Sequence, residues 1–213
     1  VYRTRCNCGF YLPSSDEKAK ALEVELTQNG GTAKGFKSNA SEFDAAQKLA
    51  DDVLETFGKI DILVNNAGNF TPGNIYDEPD GALEAQLGAN LFSAYYLTRA
   101  LLPAMMARKS GHIFNMSSIA ALKAYQNGGS YSISKFALTG FSKNLREELM
   151  EHGIKVTTVY PGATMTSSWD GSGIDPNRIM EASDIATMIV AASKLSNQAC
   201  VEDIVIRPIL GDL

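Results

Sequence analysis

Tyr131 and Lys135 stand four residues apart, so on a helix they share one face with Cβ atoms roughly 5–6 Å apart. A phenol titrates near 10 and is a poor base at neutral pH. A lysine ammonium beside it favours the phenolate, so the pair predicts a tyrosine tuned to donate or accept a proton. The Tyr-x-x-x-Lys spacing alone is a weak signal, and the rarer string Asn65-Asn66-Ala67-Gly68 carries more of the inference. Two further loops share that small, polar character, Ser117-Ser118 and Pro161-Gly162 through Thr166. Asn90 falls on the apolar stripe of Leu83 and Leu87. A buried amide costs free energy unless it is bonded, so Asn90 either satisfies a neighbouring loop or serves a site.

The elements that must position these residues follow from the pattern. Short β-rich runs are expected at Cys8–Leu12, Thr32–Lys37, Ile60–Val64, His112–Met116, Ile154–Tyr160 and Val201–Ile206. Ile60–Val64 is almost wholly apolar, which suits a strand buried on both faces. Between the runs lie helical patterns: from a Ser14 or Ser15 cap to Gln28, from a capping box at Ser41 and Asp44 to Gly58, over 80–108, over 129–152, and from a Ser183 cap to about Ser196. Alternation at this spacing predicts an α/β fold, a doubly wound parallel sheet covered on both faces, in a single domain over 1–213. Ligands of such a sheet bind beyond the carboxyl ends of its strands. Three of those ends carry the Asn65–Gly68, Ser117-Ser118 and Pro161–Thr166 loops.

Composition narrows the class. A net charge of −5 argues against a nucleic-acid binder held by phosphate contacts. A hydrophobic fraction of 45% supports a packed core, and no apolar run reaches the length of a membrane-spanning helix. Three cysteines cannot close a disulfide framework, and the first ten residues lack the apolar core of a signal peptide, so a reducing, cytoplasmic setting is expected. His112 and His152 fall on separate elements, so neither a histidine metal site nor a Ser–His–Asp triad is expected.

Asn65-Asn66-Ala67-Gly68, Asn90, Ser118, Tyr131-Ser-Ile-Ser-Lys135 and Pro161-Gly162 together resemble the short-chain dehydrogenase/reductase family over about residues 8–206. The tail VEDIVIRPILGD and the short segment between Thr166 and Ser183 are most similar to its bacterial sepiapterin-reductase-like and related carbonyl-reductase branch. The resemblance implies a Rossmann-like fold and hydride transfer between a nicotinamide cofactor and a carbonyl or alcohol carbon. It implies Tyr131 as acid/base, Ser118 orienting the carbonyl oxygen, and Lys135 lowering the Tyr131 pKa and bonding the nicotinamide ribose. Asn90 would hold a water in a proton relay, Asn65, Ala67 and Gly68 would lie under the cofactor, and Pro161, Gly162 and Thr166 would cradle the nicotinamide end. Asn39 stands where the family usually has an Asp at the adenine. Helices 80–108 and 129–152 would form a homodimer or homotetramer interface.

The sequence departs from the family at its front. A fold of this type opens with a strand and a Gly-rich turn feeding a helix that holds the pyrophosphate. No such pattern precedes residue 8, so a first strand, turn and helix are expected to be lacking and the domain N-terminally incomplete. The end of the next strand, Leu12-Pro13-Ser14-Ser15, carries no acidic residue, which favours NADP(H) over NAD(H) with Ser14 and Ser15 as contacts. Phe70, Ala124, Tyr125, Met165 and Trp169 flank the catalytic loops and are expected to line a pocket for a small-molecule carbonyl or alcohol. The alternative is a scaffold or binding protein with weak or no cofactor affinity.

Overall fold

The computed structural model describes residues 7–12, 16–28, 31–169 and 171–213. Six strands alternate with helices: β1 (Asn7–Leu12), α1 (Asp16–Gln28), β2 (Thr32–Lys37), α2 (Phe43–Phe57), β3 (Ile62–Asn65), α3 (Ala82–Leu87), α4 (Ser93–Arg108), β4 (Gly111–Met116), α5 (Gly129–Leu149), β5 (Ile154–Pro161), α6 (Ala182–Ser193) and β6 (Asp203–Ile206). Every strand pair is parallel, β1 with β2, and β3, β4, β5 and β6 in that order. This is the Rossmann-like α/β fold. The ladders form a two-stranded and a four-stranded sheet.

Side chains alternate strictly across the four-stranded sheet. Leu63, Ile113, Val156 and Ile154 join Leu49, Leu97, Leu101, Met105, Leu145 and Leu149 in a core beneath α2, α4 and α5. Phe114, Val159 and Ile204 face the other way, onto Ile185 and Ala192 of α6. The two faces bury different partners because successive strand residues point in opposite directions.

Several boundaries differ from the sequence reading. β3 is not buried on both faces: Ile62 and Val64 are 47% and 39% exposed while Leu63 and Asn65 are buried. Among the described residues β3 pairs only with β4, and α6 covers β4 to β6 without reaching it. No capping box opens α2, because the Ser41 hydroxyl donates to Asn39 Oδ1 and the cap position is Glu42. α6 starts instead with a reciprocal Glu181–Asp184 box. The 129–152 pattern ends as expected, with a 3₁₀ turn and Gly153 left-handed at φ 66°. The 80–108 pattern is broken by a π-turn at Gly88–Phe92, described below. The Ser14 and Ser15 cap lies outside the described residues.

The second face contains one buried histidine. His112 stacks on Phe114 at 3.9 Å, and its Nε2 lies 2.7 Å from Thr157 Oγ1. The Thr157 hydroxyl donates to Val201 O, so Nε2 carries the ring proton. Burial, and secondarily the Lys155 charge, lowers the pKa from 6.5 to about 4. A base whose folded pKa is depressed contributes stability that is present above the unfolded value and lost as pH falls toward the folded one. Urea denaturation should therefore show wild type losing about 2–3 kcal/mol more than His112→Gln between pH 7.5 and 4.5. Parallel losses in the two proteins would show that His112 is not the group responsible.

Candidate active site

The site forms where β3 and β4 end and α5 begins. Ser118 follows β4 and is extended at φ −166°, capping a 3₁₀ turn at Ile119–Ala121. Its Oγ accepts the Ala120 N–H at 3.1 Å, which leaves the hydroxyl proton free for another acceptor. That acceptor is the Tyr131 phenol, whose pKa the Ser118 contact lowers. Burial outweighs this contact and pushes Tyr131 above its ordinary value. The expected lowering of Tyr131 by Lys135 is thus corrected. The Lys135 ammonium lies 5.8 Å from the Tyr131 ring centroid and donates to Met116 O at 2.9 Å.

Lys135 is 5% exposed, and desolvation lowers its pKa to about 8. An ammonium has three donors, and the protein acceptor it meets is the Met116 carbonyl. A buried cation with spare donors at a strand end is chemically fitted to the hydroxyls of a ribose.

Asn90 belongs to the π-turn at Gly88–Phe92. It lies in this wide turn between α3 and α4, buried and reaching Ser134 of α5, and such bulges often occur at functional sites. Its Nδ2 lies within 2.9 Å of both Gln86 Oε1 and Ser134 Oγ and 3.1 Å from Asn69 O. Its Oδ1 accepts the Asn69 N–H at 3.0 Å. The amide is thereby bonded to both polar groups of Asn69, and the side chain braces the Asn65–Asn69 loop. Gly68 passes between this amide and Lys135: a Cβ there would sit 2.6 Å from Asn90 Oδ1 and 3.4 Å from Lys135 Nζ.

Other expected residues are placed as follows. Asn65 does not face the strand ends. Its buried Nδ2 donates to Thr98 Oγ1 and Asn115 Oδ1, and Asn115 in turn donates to Ser142 Oγ, a ladder inside the core. Its position as the last residue of β3, pointing with Leu63, explains the difference. Ala67 is half-buried and Gly68 exposed at the loop itself. Asn39 sits just past β2, its Oδ1 bonded to Ser41 and its Nδ2 to Glu42. Gly162 donates to Ile206 O, and a Cβ there would approach Pro208 Cδ to 3.0 Å. Pro161 closes β5, and Thr166 is exposed. Ser14 and Ser15 lie outside the described residues.

Of the expected pocket residues, Phe70 packs edge-on against Tyr131, ring centroids 4.8 Å apart at 77°. Tyr125 is close enough that the Tyr131 charge adds to burial in raising its pKa to about 12. Met165 and Trp169 are half-buried and Ala124 is exposed. Gln86 and Ser134 were not singled out in the sequence. Gln86 stands four residues before Asn90, the spacing that brings helical side chains together, and Ser134 lies within the Tyr131–Lys135 string. No group of metal-binding side chains occurs among the described residues.

Comparison with known proteins accounts for this arrangement. The family model described as short chain dehydrogenase matches residues 6–175. The chain belongs to the short-chain dehydrogenase/reductase family. A sepiapterin reductase of Chlorobaculum tepidum is 31% identical over 193 residues, covering 90% of this chain and 79% of the relative. A metagenomic short-chain oxidoreductase solved with NADP is 32% identical with a TM-score of 0.79, over 94% of this chain and 84% of that one. A 7α-hydroxysteroid dehydrogenase solved with NADH and 7-oxo glycochenodeoxycholic acid is 25% identical with a TM-score of 0.83, over 95% and 92%. Family membership makes this chain an oxidoreductase of the nicotinamide-using class. Among the described residues no helix is long and apolar enough to cross a membrane.

The crowding at Gly68 gives a test. Gly68→Ala should displace the Asn90 amide or the Lys135 ammonium and lower kcat/KM at least about a hundredfold, with loss of fold excluded by near-ultraviolet circular dichroism. Activity within threefold of wild type would mean the loop absorbs the methyl group without moving either partner.

Proposed function

We propose that this protein transfers a hydride between NADP(H) and a carbonyl or secondary alcohol, with Tyr131 as the acid/base. The observation that carries the reading is the Ser118–Tyr131–Lys135 cluster, in which a serine hydroxyl, a protonated phenol and a buried ammonium converge at the ends of β3 and β4. The cofactor, when bound, supplies or accepts the hydride at its nicotinamide ring.

The residues divide the remaining work. Ser118 turns toward the substrate oxygen the hydroxyl proton that it otherwise directs to the Tyr131 phenol, while its Oγ still accepts from Ala120 N–H. The phenol of Tyr131, held above its ordinary pKa by burial, keeps its proton at neutral pH and delivers it to that oxygen as the carbonyl is reduced. Lys135 holds ribose hydroxyls through its spare donors. Gly68, Ala67, Pro161, Gly162 and Thr166 give a planar ligand close access to the backbone, and Asn90 holds the Asn65–Asn69 loop in place. Phe70 and Tyr125 wall the substrate side, with Met165, Trp169 and Ala124 further out.

Preference for NADP(H) over NAD(H) rests on the absence of a carboxylate from residues 10–15 and on the NADP-bound relative. Assembly as a homodimer or homotetramer is part of the proposal. It is supported by the exposure of Phe92 and Tyr95 at α4 and of Ile133 and Phe136 on α5. Sedimentation velocity at micromolar concentration should show a dimer or larger, and a monomer would remove that part.

The catalytic reading is tested at 340 nm with NADPH or NADH and a panel of ketones, aldehydes and dicarbonyls. Tyr131→Phe should lower kcat/KM by about 10²–10⁴ while leaving NADPH binding near wild type. The proposal fails if no carbonyl compound is turned over, or if Tyr131→Phe is as active as wild type.

A further inference from the structure

Three tethers hold the segment between β3 and α3, one to the π-turn and two to the catalytic helix α5 and its approach. Asn69 exchanges two hydrogen bonds with the Asn90 side chain, at 3.0 and 3.1 Å. Gly73 N–H donates to Asn127 O at 3.1 Å. The Glu78 carboxylate accepts the Ser130 N–H at 2.9 and 3.2 Å through its two oxygens, and the Ser130 hydroxyl donates to Oε2. Phe70 lies between the first and second tether with its ring against Tyr131.

The Glu78 contact is built into the fold from both sides. α5 opens on Gly128 and Gly129, which have no side chain with which to cap its first amides. A carboxylate from another segment does so, with charge-assisted bonds and the favourable sign for a helix N-terminus. Two glycines make room for it. A Cβ at Gly73 would lie 2.6 Å from Glu78 Cγ, and one at Gly129, where φ is +36°, would run into Glu78 Oε1. Ser130 immediately precedes Tyr131, so the carboxylate grips the helix one residue from the phenol.

We propose that Glu78 is a positioning residue: by pinning the Asn69–Glu78 segment to the start of α5 it holds Phe70 against Tyr131, and so sets a wall of the site that favours carbonyl compounds with a flat, apolar flank. The kinetic part rests on Tyr131 acting as the acid/base, while the clamp itself does not. A carboxylate merely adding stability to α5 would change thermal stability without changing the discrimination between substrates.

Hydrogen exchange read by mass spectrometry tests the clamp, and steady-state kinetics with an aryl methyl ketone and a short aliphatic ketone tests the wall. In Glu78→Ala, amides of residues 69–77 should exchange at least about fivefold faster while β4 and β5 keep their protection. KM for the aryl ketone should rise about five- to tenfold, with kcat and the aliphatic KM within about twofold of wild type. Phe70→Ala should raise the aryl-ketone KM at least as much as Glu78→Ala does, and the double variant should add nothing further to that KM. Glu78→Gln still accepts the Ser130 N–H and should restore most of the effect. Unaltered exchange in Glu78→Ala overturns the clamp, and an equal loss on both ketones overturns the wall. If wild type reduces neither ketone, the failure lies with the Tyr131 reading, and the exchange comparison alone decides the clamp.

Discussion

A side-chain amide has two donors and an acceptor, and when it is buried all of them must be met. The Asn90 amide meets them with groups from three places: the backbone of the Asn65–Asn69 loop, Gln86 one turn back on α3, and Ser134 on α5. Those places carry the strand-end loop and the Tyr131–Lys135 face. Asn90 meets them from within the π-turn at Gly88–Phe92, a kind of bulge often found at functional sites. Satisfying one amide therefore fixes the register between the helix that crosses the sheet and the helix that bears the phenol. Gly68 follows from this, since only a residue without Cβ fits against both that amide and the lysine.

Much of the layout was legible in the sequence because hydrophobic period encodes it directly. The order of strands and helices, and the placing of the Asn65, Ser117 and Pro161 loops at strand ends, follow from alternation alone. What was not legible depended on neighbours distant in sequence. The composition of Ile60–Val64 reads as buried on both faces, but whether a face is covered depends on which helix reaches it, and α6 does not reach Ile62 or Val64. The π-turn leaves the apolar spacing of Leu83, Leu87 and Leu101 almost unchanged, so its insertion has no periodic signature. The capping residues of α2 and α6 differ by one or two positions from the sequence reading, because the Ser41 hydroxyl is taken by Asn39 and that of Ser183 by Glu181, the residue that caps α6.

The site was legible as a set of residues and less so as a set of roles. Ser118, Tyr131 and Lys135 do come together. Spacing on a helix says that two side chains are close, but not which way a charge points. Lys135 points toward the end of β4, at Met116 O, so burial governs Tyr131. Asn65 and Asn66 are adjacent and chemically identical in sequence, yet strand alternation sends Asn65 into the core ladder with Asn115 and Ser142 while Asn66 is exposed. Glu78 had no sequence signal because its partner Ser130 is 52 residues away.

The buried lysine carries a thermodynamic consequence of its own. Its pKa falls from 10.5 to about 8 on folding, with burial as the cause. Below pH 8 folded and unfolded chains both hold this proton, and the folded one does so with the ammonium desolvated. Between about 8 and 10.5 the unfolded chain binds the larger share of proton, so this group's contribution to stability rises with pH across that window. At neutral pH the molecule thus carries a penalty on the order of 3 kcal/mol at Lys135, in the same protonation state in which the ammonium has donors to offer a ligand. Cofactor hydroxyls that accept from it would return part of that penalty, so ligand binding and proton binding at this residue reinforce one another.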